Sequence, residues 1–189
     1  AVEPHIEQVF VTPNEKLTTE ELERKLFVLG NYATHEVGKN VDAENEQFYI
    51  CSFSANTIVY KGQLKTDQVS RYFHDLRDPL FKSALATVHS RFSTNTFPRW
   101  SLAQPFRVIA HNGEINTIRG NVNKMKSKEA LMTSPYYTDE ELKWLLPVTD
   151  PRNSDSANLD AIVELLSLSG RSLPHTMMML VPEAWQDND

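Results

Sequence analysis

Residues 88–123, VHSRFSTNTFPRWSLAQPFRVIAHNGEINTIRGNVN, hold the densest pattern in the chain. Twice within this span a strand-like run ends in a cluster of polar residues. Val88 leads into His89-Ser90-Arg91-Phe92-Ser93-Thr94-Asn95-Thr96, and Phe106-Arg107-Val108-Ile109-Ala110 leads into His111-Asn112-Gly113-Glu114-Ile115-Asn116. The spacing predicts two polar tips at one edge of a sheet. An arginine followed by hydroxyls and amides suits an α-carboxylate, which a guanidinium grips with two parallel charge-assisted bonds. An Asn-Gly pair offers a side-chain amide and an unhindered backbone N–H to one developing oxyanion.

Outward from this stretch the chain alternates strand-like and helical patterns. Glu7 to Val11 is a short strand candidate closed by Pro13. Thr18-Thr19-Glu20-Glu21 has the hydroxyl-x-x-Glu spacing of a capping box, and Leu22, Leu26 and Leu29 follow at helical intervals, predicting three to five turns. Residues 48–53 and 57–60 are β-rich runs around the turn-prone Ala55-Asn56, which reads as a hairpin. Thr66 is placed to cap a helix with Val69, Tyr72, Phe73 and Leu76 on one face, ended by Asp78-Pro79. Residues 84–92 return as a strand. Trp100 marks the loop to Pro105 as ordered, because an indole there needs something to pack against.

Beyond the Asn-Gly tip, residues 118–128 read as helix, with Lys124, Lys126 and Lys128 on a solvated face. Thr138 to Glu141 is a second capping box, before a short helix stopped by Pro147. Ser154-Asp155-Ser156 precedes a helix with Leu159, Ile162, Val163 and Leu166 at core spacing, closed by Gly170. Pro174 suits a first helical turn, and the run Met177-Met178-Met179 reads as core packing rather than a thioether metal site. No internal repeat, low-complexity segment or flexible linker interrupts the chain. A layered α+β domain therefore fits better than a doubly wound sheet.

The totals exclude several classes. A chain of 189 residues is one domain by default. A net charge of −6 and a pI near 5.5 argue against a general nucleic-acid surface, which needs blocks of Lys and Arg to displace counterions. No run approaches the roughly 18 apolar residues of a membrane span, and residues 1–30 lack the order of a signal peptide. The expectation is a protein with no membrane and no nucleic-acid partner. One cysteine fits a reducing compartment, hence the expectation of cytoplasm, without excluding a plastid.

The Arg91-Phe92-Ser93-Thr94 and His111-Asn112-Gly113 motifs resemble those of the class II, N-terminal-nucleophile glutamine amidotransferases. The continuous string RFSTNTFPRWSLAQPFRVIAHNGEINTIRGN, with Ser154-Asp155-Ser156, extends the resemblance to the amidotransferase domain of the glutamate synthase large subunit. That resemblance covers most of the chain and implies part of a four-layer α-β-β-α sandwich, within a single amidotransferase domain over residues 1–189. It implies that Arg91 binds the α-carboxylate of glutamine with Thr94 nearby, that Asp155 binds the α-ammonium, and that Asn112 and Gly113 form the oxyanion hole. It also implies an FMN, an iron-sulfur cluster and a small electron-donating subunit for the larger enzyme, with no cofactor in this region. The remaining domains of the large subunit would be its partners.

The family pattern requires a cysteine at the mature N-terminus, whose own α-amino group, of pKa about 7.7–8.0, serves as base. This chain begins Ala1-Val2-Glu3-Pro4. The expectation is an internal fragment without the nucleophile, inactive by itself. Each assignment has a plainer counterpart: Arg91 in a surface ion pair, Asp155 as a helix cap, Asn112-Gly113 as a turn of positive φ. Two other functions stay open, a glutamine-binding or regulatory module without a nucleophile, and a thiol hydrolase using Cys51 with His89 or His111. The alternation around Cys51 favours a buried, inert thiol. The histidines form no His-x-x-x-His pair and Gly-x-Ser-x-Gly does not occur, which disfavours metal and serine hydrolases.

Overall fold

Helices begin where a side chain can take up one of the unpaired N–H groups of the first turn. The computed structural model, which describes residues 3–40, 48–92 and 97–183, divides into two compact units, Ala1–Ala110 and His111–Asp189. In the first, helix α1 spans Thr19–Asn40. The Thr18 hydroxyl accepts the Glu21 N–H at 3.2 Å, and Glu21 Oε2 accepts the Thr18 N–H at 2.8 Å. These bonds from Thr18 hold the Glu21 carboxyl below its ordinary pKa. At 22 residues the helix is longer than its apolar spacing suggested. Its buried side chains are Leu26, Phe27 and Val28, whereas Leu29 is exposed.

Helix α2 covers Thr66–Tyr72, with Lys65 rather than Thr66 in the cap position. The chain leaves it through extended Phe73 and resumes as a 3₁₀ turn, His74–Arg77. A second 3₁₀ turn, Trp100–Leu102, accounts for the ordered loop. Trp100 stacks near Tyr72 with ring centroids 5.6 Å apart, and a Cβ at Gly62 would overlap its ring. The core of this unit adds Leu102, Ala103 and Phe106. Buried among them, Lys61 donates from Nζ to the Tyr49 hydroxyl at 2.8 Å and the Ser101 carbonyl at 2.9 Å, with the Phe106 ring 4.7 Å away.

The expected sheet is corrected by the structure: no strand forms among the described residues. The α+β sandwich and its polar edge are therefore not the architecture of the described residues, which form helices with long irregular connections. Strand-prone residues need a neighbouring backbone to complete a ladder, and here local bonds take its place. The turn at 54–57 does form, because Ser54 Oγ accepts the N–H groups of Asn56 and Thr57 at 3.0 and 3.1 Å. The Val59 N–H, however, goes to the Ser52 hydroxyl at 3.1 Å instead of a facing carbonyl. The Phe106 N–H donates to the Ile109 carbonyl at 2.9 Å, folding that run back on itself. In residues 7–11 and 84–88 the apolar side chains stay in solvent, with Phe10 91% and Leu85 82% exposed.

The second unit is organised around α5, Asp155–Leu168, between α3, Ile118–Glu129, and α6, Leu173–Leu180. Its apolar face, Leu159, Ile162, Val163 and Leu165, is the most thoroughly buried set in the molecule. A short α4, Asp139–Leu145, contributes Leu142 and Leu145 and is capped by Thr138 as expected, its Oγ1 accepting the Glu141 N–H at 3.2 Å. Gly170, at φ +90°, turns the chain after α5 against the Tyr136 ring, where a side chain would not fit. Lys124, Lys126 and Lys128 lie in solvent on α3. The methionine run is a second correction: Met178 and Met179 are exposed, and α6 buries Thr176 and Leu180.

Candidate functional site

Ser154, Asp155 and Ser156 alternate in environment. Ser154 and Ser156 are 1% and 4% exposed, whereas Asp155 lies in solvent. Ser154 is the cap of α5, its Oγ accepting the Ala157 N–H at 3.2 Å. Asp155 is thus the first residue inside the helix and not its cap. Its carboxylate makes no hydrogen bond or ion pair among the described residues, and it sits where the helix dipole favours negative charge. The loop before it is fixed by Asn158, which accepts the Asp150 N–H at 2.9 Å and donates to the Asp150 carbonyl at 3.0 Å. Arg152 closes the same loop with a bond from Nη2 to Asp150 Oδ2 at 2.6 Å.

Asn112 and Gly113 are exposed, in a segment that runs into α3. That helix start is held by the Leu180 carbonyl, which accepts from the Thr117 hydroxyl and from Asn121 Nδ2, both at 2.8 Å. The other end of the segment is held by His111, whose Nε2 lies 2.8 Å from Ser156 Oγ. The segment with the candidate oxyanion donors and the helix start with Asp155 are thereby brought together. Gly113 lies outside the positive-φ region, since Gly170 is the positive-φ glycine among the described residues. A Cβ built on Gly113 would meet nothing within 4 Å. A turn of positive φ is therefore not the reason for glycine here.

In the first unit Arg91 is exposed, and its N–H donates to His89 Nδ1 at 3.1 Å. The guanidinium makes no bond among the described residues, so the surface ion pair is not formed there. Thr94 lies outside the described residues. Cys51 is half-buried, and burial pushes its thiol above the ordinary value, with the Lys61 and Arg107 charges offsetting only part of that rise. His111 Nε2 lies against Ser156 Oγ, and His89 Nδ1 accepts the Arg91 backbone N–H. Among the described residues no group of three His, Cys, Asp or Glu side chains is placed to hold a metal ion. No helix among them is long and apolar enough to cross a membrane.

Sequence reasoning named Ser156 only as part of a motif and did not anticipate its bond to His111. The polar triplet at a helix start was the available signal, but a partner 45 residues away leaves no periodic trace.

The His111–Ser156 bond thus joins the helix start that carries the solvent-facing Asp155 to the Asn112-Gly113 segment. The chain belongs to the family of class-II glutamine amidotransferases, whose family model matches residues 1–189. It is 47% identical to the ferredoxin-dependent glutamate synthase of Pyropia yezoensis over 97% of this chain and 12% of that protein. It is 52% identical to the NADH glutamate synthase of Schizosaccharomyces pombe over 90% of this chain and 8% of that protein. With the large chain of the NADPH glutamate synthase of Azospirillum brasilense the identity is 44%, over 97% of this chain and 12% of that one. The chain thus spans about an eighth or less of the length of these curated relatives.

Proposed function

We propose that this chain is the glutamine-binding and oxyanion-forming part of a glutaminase domain within a glutamate synthase large subunit, with residues 1–189 belonging to that one domain. Arg91, with Thr94 nearby, binds the α-carboxylate of glutamine. Asp155 binds the α-ammonium, and the Asn112 amide and Gly113 N–H stabilise the oxyanion formed when a thiolate attacks the side-chain amide. Collapse of that intermediate releases ammonia, and water then cleaves the thioester to give glutamate. The one cysteine of these residues, Cys51, is half-buried with its thiol pushed above the ordinary value, so the 189 residues by themselves do not supply the attacking thiolate. In the larger polypeptide the ammonia meets 2-oxoglutarate at a reductive site, where FMN and an iron-sulfur cluster supply electrons from a separate donor or subunit.

The observation that carries this reading is Gly113. No atom lies within 4 Å of a Cβ built there and its φ is ordinary, which leaves this backbone open to close approach by a substrate oxygen. The relatives add a second line of support. Their names include ferredoxin, NADH and NADPH, yet all match this region at 44–52% identity. A step common to all of them, independent of the electron donor, fits that pattern.

Ammonia release from glutamine tests the proposal, comparing this chain with the same chain extended upstream to a Cys-Gly start. Activity is expected only in the extended chain, and Arg91→Ala should abolish it by raising KM. Release of ammonia by the 189 residues alone would refute their dependence on an outside nucleophile. Silence in both, with the extended chain folded, would replace the glutaminase reading with a glutamine-binding module.

A further inference from the structure

We propose that His111 and Ser156 are a positioning pair for the glutamine site, setting the distance between the groups that hold the two ends of the substrate. The inference rests on the roles proposed above for Asn112, Gly113 and Asp155. His111 immediately precedes Asn112, and Ser156 immediately follows Asp155. Their 2.8 Å hydrogen bond therefore joins the oxyanion segment to the carboxylate that receives the ammonium group.

The fold's own elements are secured by other bonds. Helix α5 has its cap in Ser154 and its leading loop clamped by Asn158. The start of α3 is tied to the Leu180 carbonyl. What the His111–Ser156 bond adds is the register of residues 111–113 against the start of α5. A hydroxyl donates as well as accepts, so the bond forms with either imidazole tautomer. Ser156 is only 4% exposed, which suits an anchor and not a nucleophile. Glutamine spans the site from ammonium to amide, and a shift of about 1 Å in such spacing costs on the order of 100-fold in rate.

The test is kinetic, in the full-length polypeptide, with Ser156→Ala, His111→Leu, the double variant and His111→Gln, whose carboxamide reaches about as far as Nε2. The expected result is a loss of roughly 10- to 100-fold in kcat/KM for glutamine in either single variant. The double variant should be no worse than the poorer single one, as for two groups acting through one bond. His111→Gln should recover most of the activity. Asparagine, one methylene shorter, should be discriminated against less once the spacing is loosened. Multiplying losses, no recovery with glutamine at position 111, or an unchanged preference over asparagine would each overturn the pair's role.

If the unsubstituted polypeptide releases no ammonia, the functional reading fails and the pair is judged by NMR on the 189-residue chain. Ser156→Ala should then shift the Asn112 and Gly113 amides and speed their exchange while the amides of residues 159–165 hold. A response confined to α5 would overturn it.

Discussion

At Gly113 the fold itself makes no demand for glycine, since its φ is ordinary and nothing lies within 4 Å of a Cβ built there. Gly120, in the first turn of α3, has equally open space around its Cβ position. Gly120→Ala should therefore stabilise the chain by about 0.4–1 kcal/mol, chiefly by lowering the freedom of the unfolded chain. Gly113→Ala should leave stability within about 0.5 kcal/mol yet lower glutaminase activity of the full-length polypeptide roughly 10- to 100-fold, by crowding the oxyanion. Urea melts and ammonia assays on the two variants check both halves. A Gly113→Ala protein with full activity would remove the main support for the oxyanion assignment. This contrast was half legible beforehand: the Asn-Gly pair stands out in the sequence, but its open surroundings and ordinary φ are properties of the folded backbone.

Helices α1 and α4 begin one residue after the hydroxyls of the capping boxes that announce them, because a cap acts over three residues and needs no distant partner, while α5 and α6 take Ser154 and Ser172 as caps. The quality of each cap should show in its removal. Ser154→Ala is expected to cost about 1 kcal/mol in urea unfolding, since its bond to the Ala157 N–H is 3.2 Å long and almost fully buried. Ser172→Ala should cost less, because its bond to the His175 N–H is 3.4 Å and exposed. The reverse order would mean that α6 and not α5 limits the stability of the second unit. The strand-like runs failed where the caps succeeded. Their β-branched and aromatic residues state only a preference for a pleated, half-buried surface, which some other segment must provide. The side-chain hydroxyls of Ser52 and Ser54 took the N–H groups first.

At the scale of the whole molecule the two units differ in how their apolar groups are used. Around α5 the side chains of Ile162, Val163 and Leu165 are 1%, 0% and 2% exposed. In the first unit Val9, Phe10, Leu80, Leu85 and Val88 are each more than 70% exposed. Hydrogen exchange followed by mass spectrometry should find residues 159–165 the slowest, and residues 3–17 and 78–92 close to unprotected rates, since exposed backbone without ladder bonds opens at little cost. Protection of 84–92 comparable to α5 would show that this run pairs in solution. The sequence alone determined the family and the capping boxes that start α1 and α4, because these depend on residue type and on spacings of three or four. Only the tertiary structure decided that no sheet forms among the described residues, that Ser154 caps α5 with Asp155 as its first residue, and that His111 meets Ser156. Those outcomes turn on which distant group reaches a given N–H or hydroxyl first, a competition that residue types and their spacing leave open.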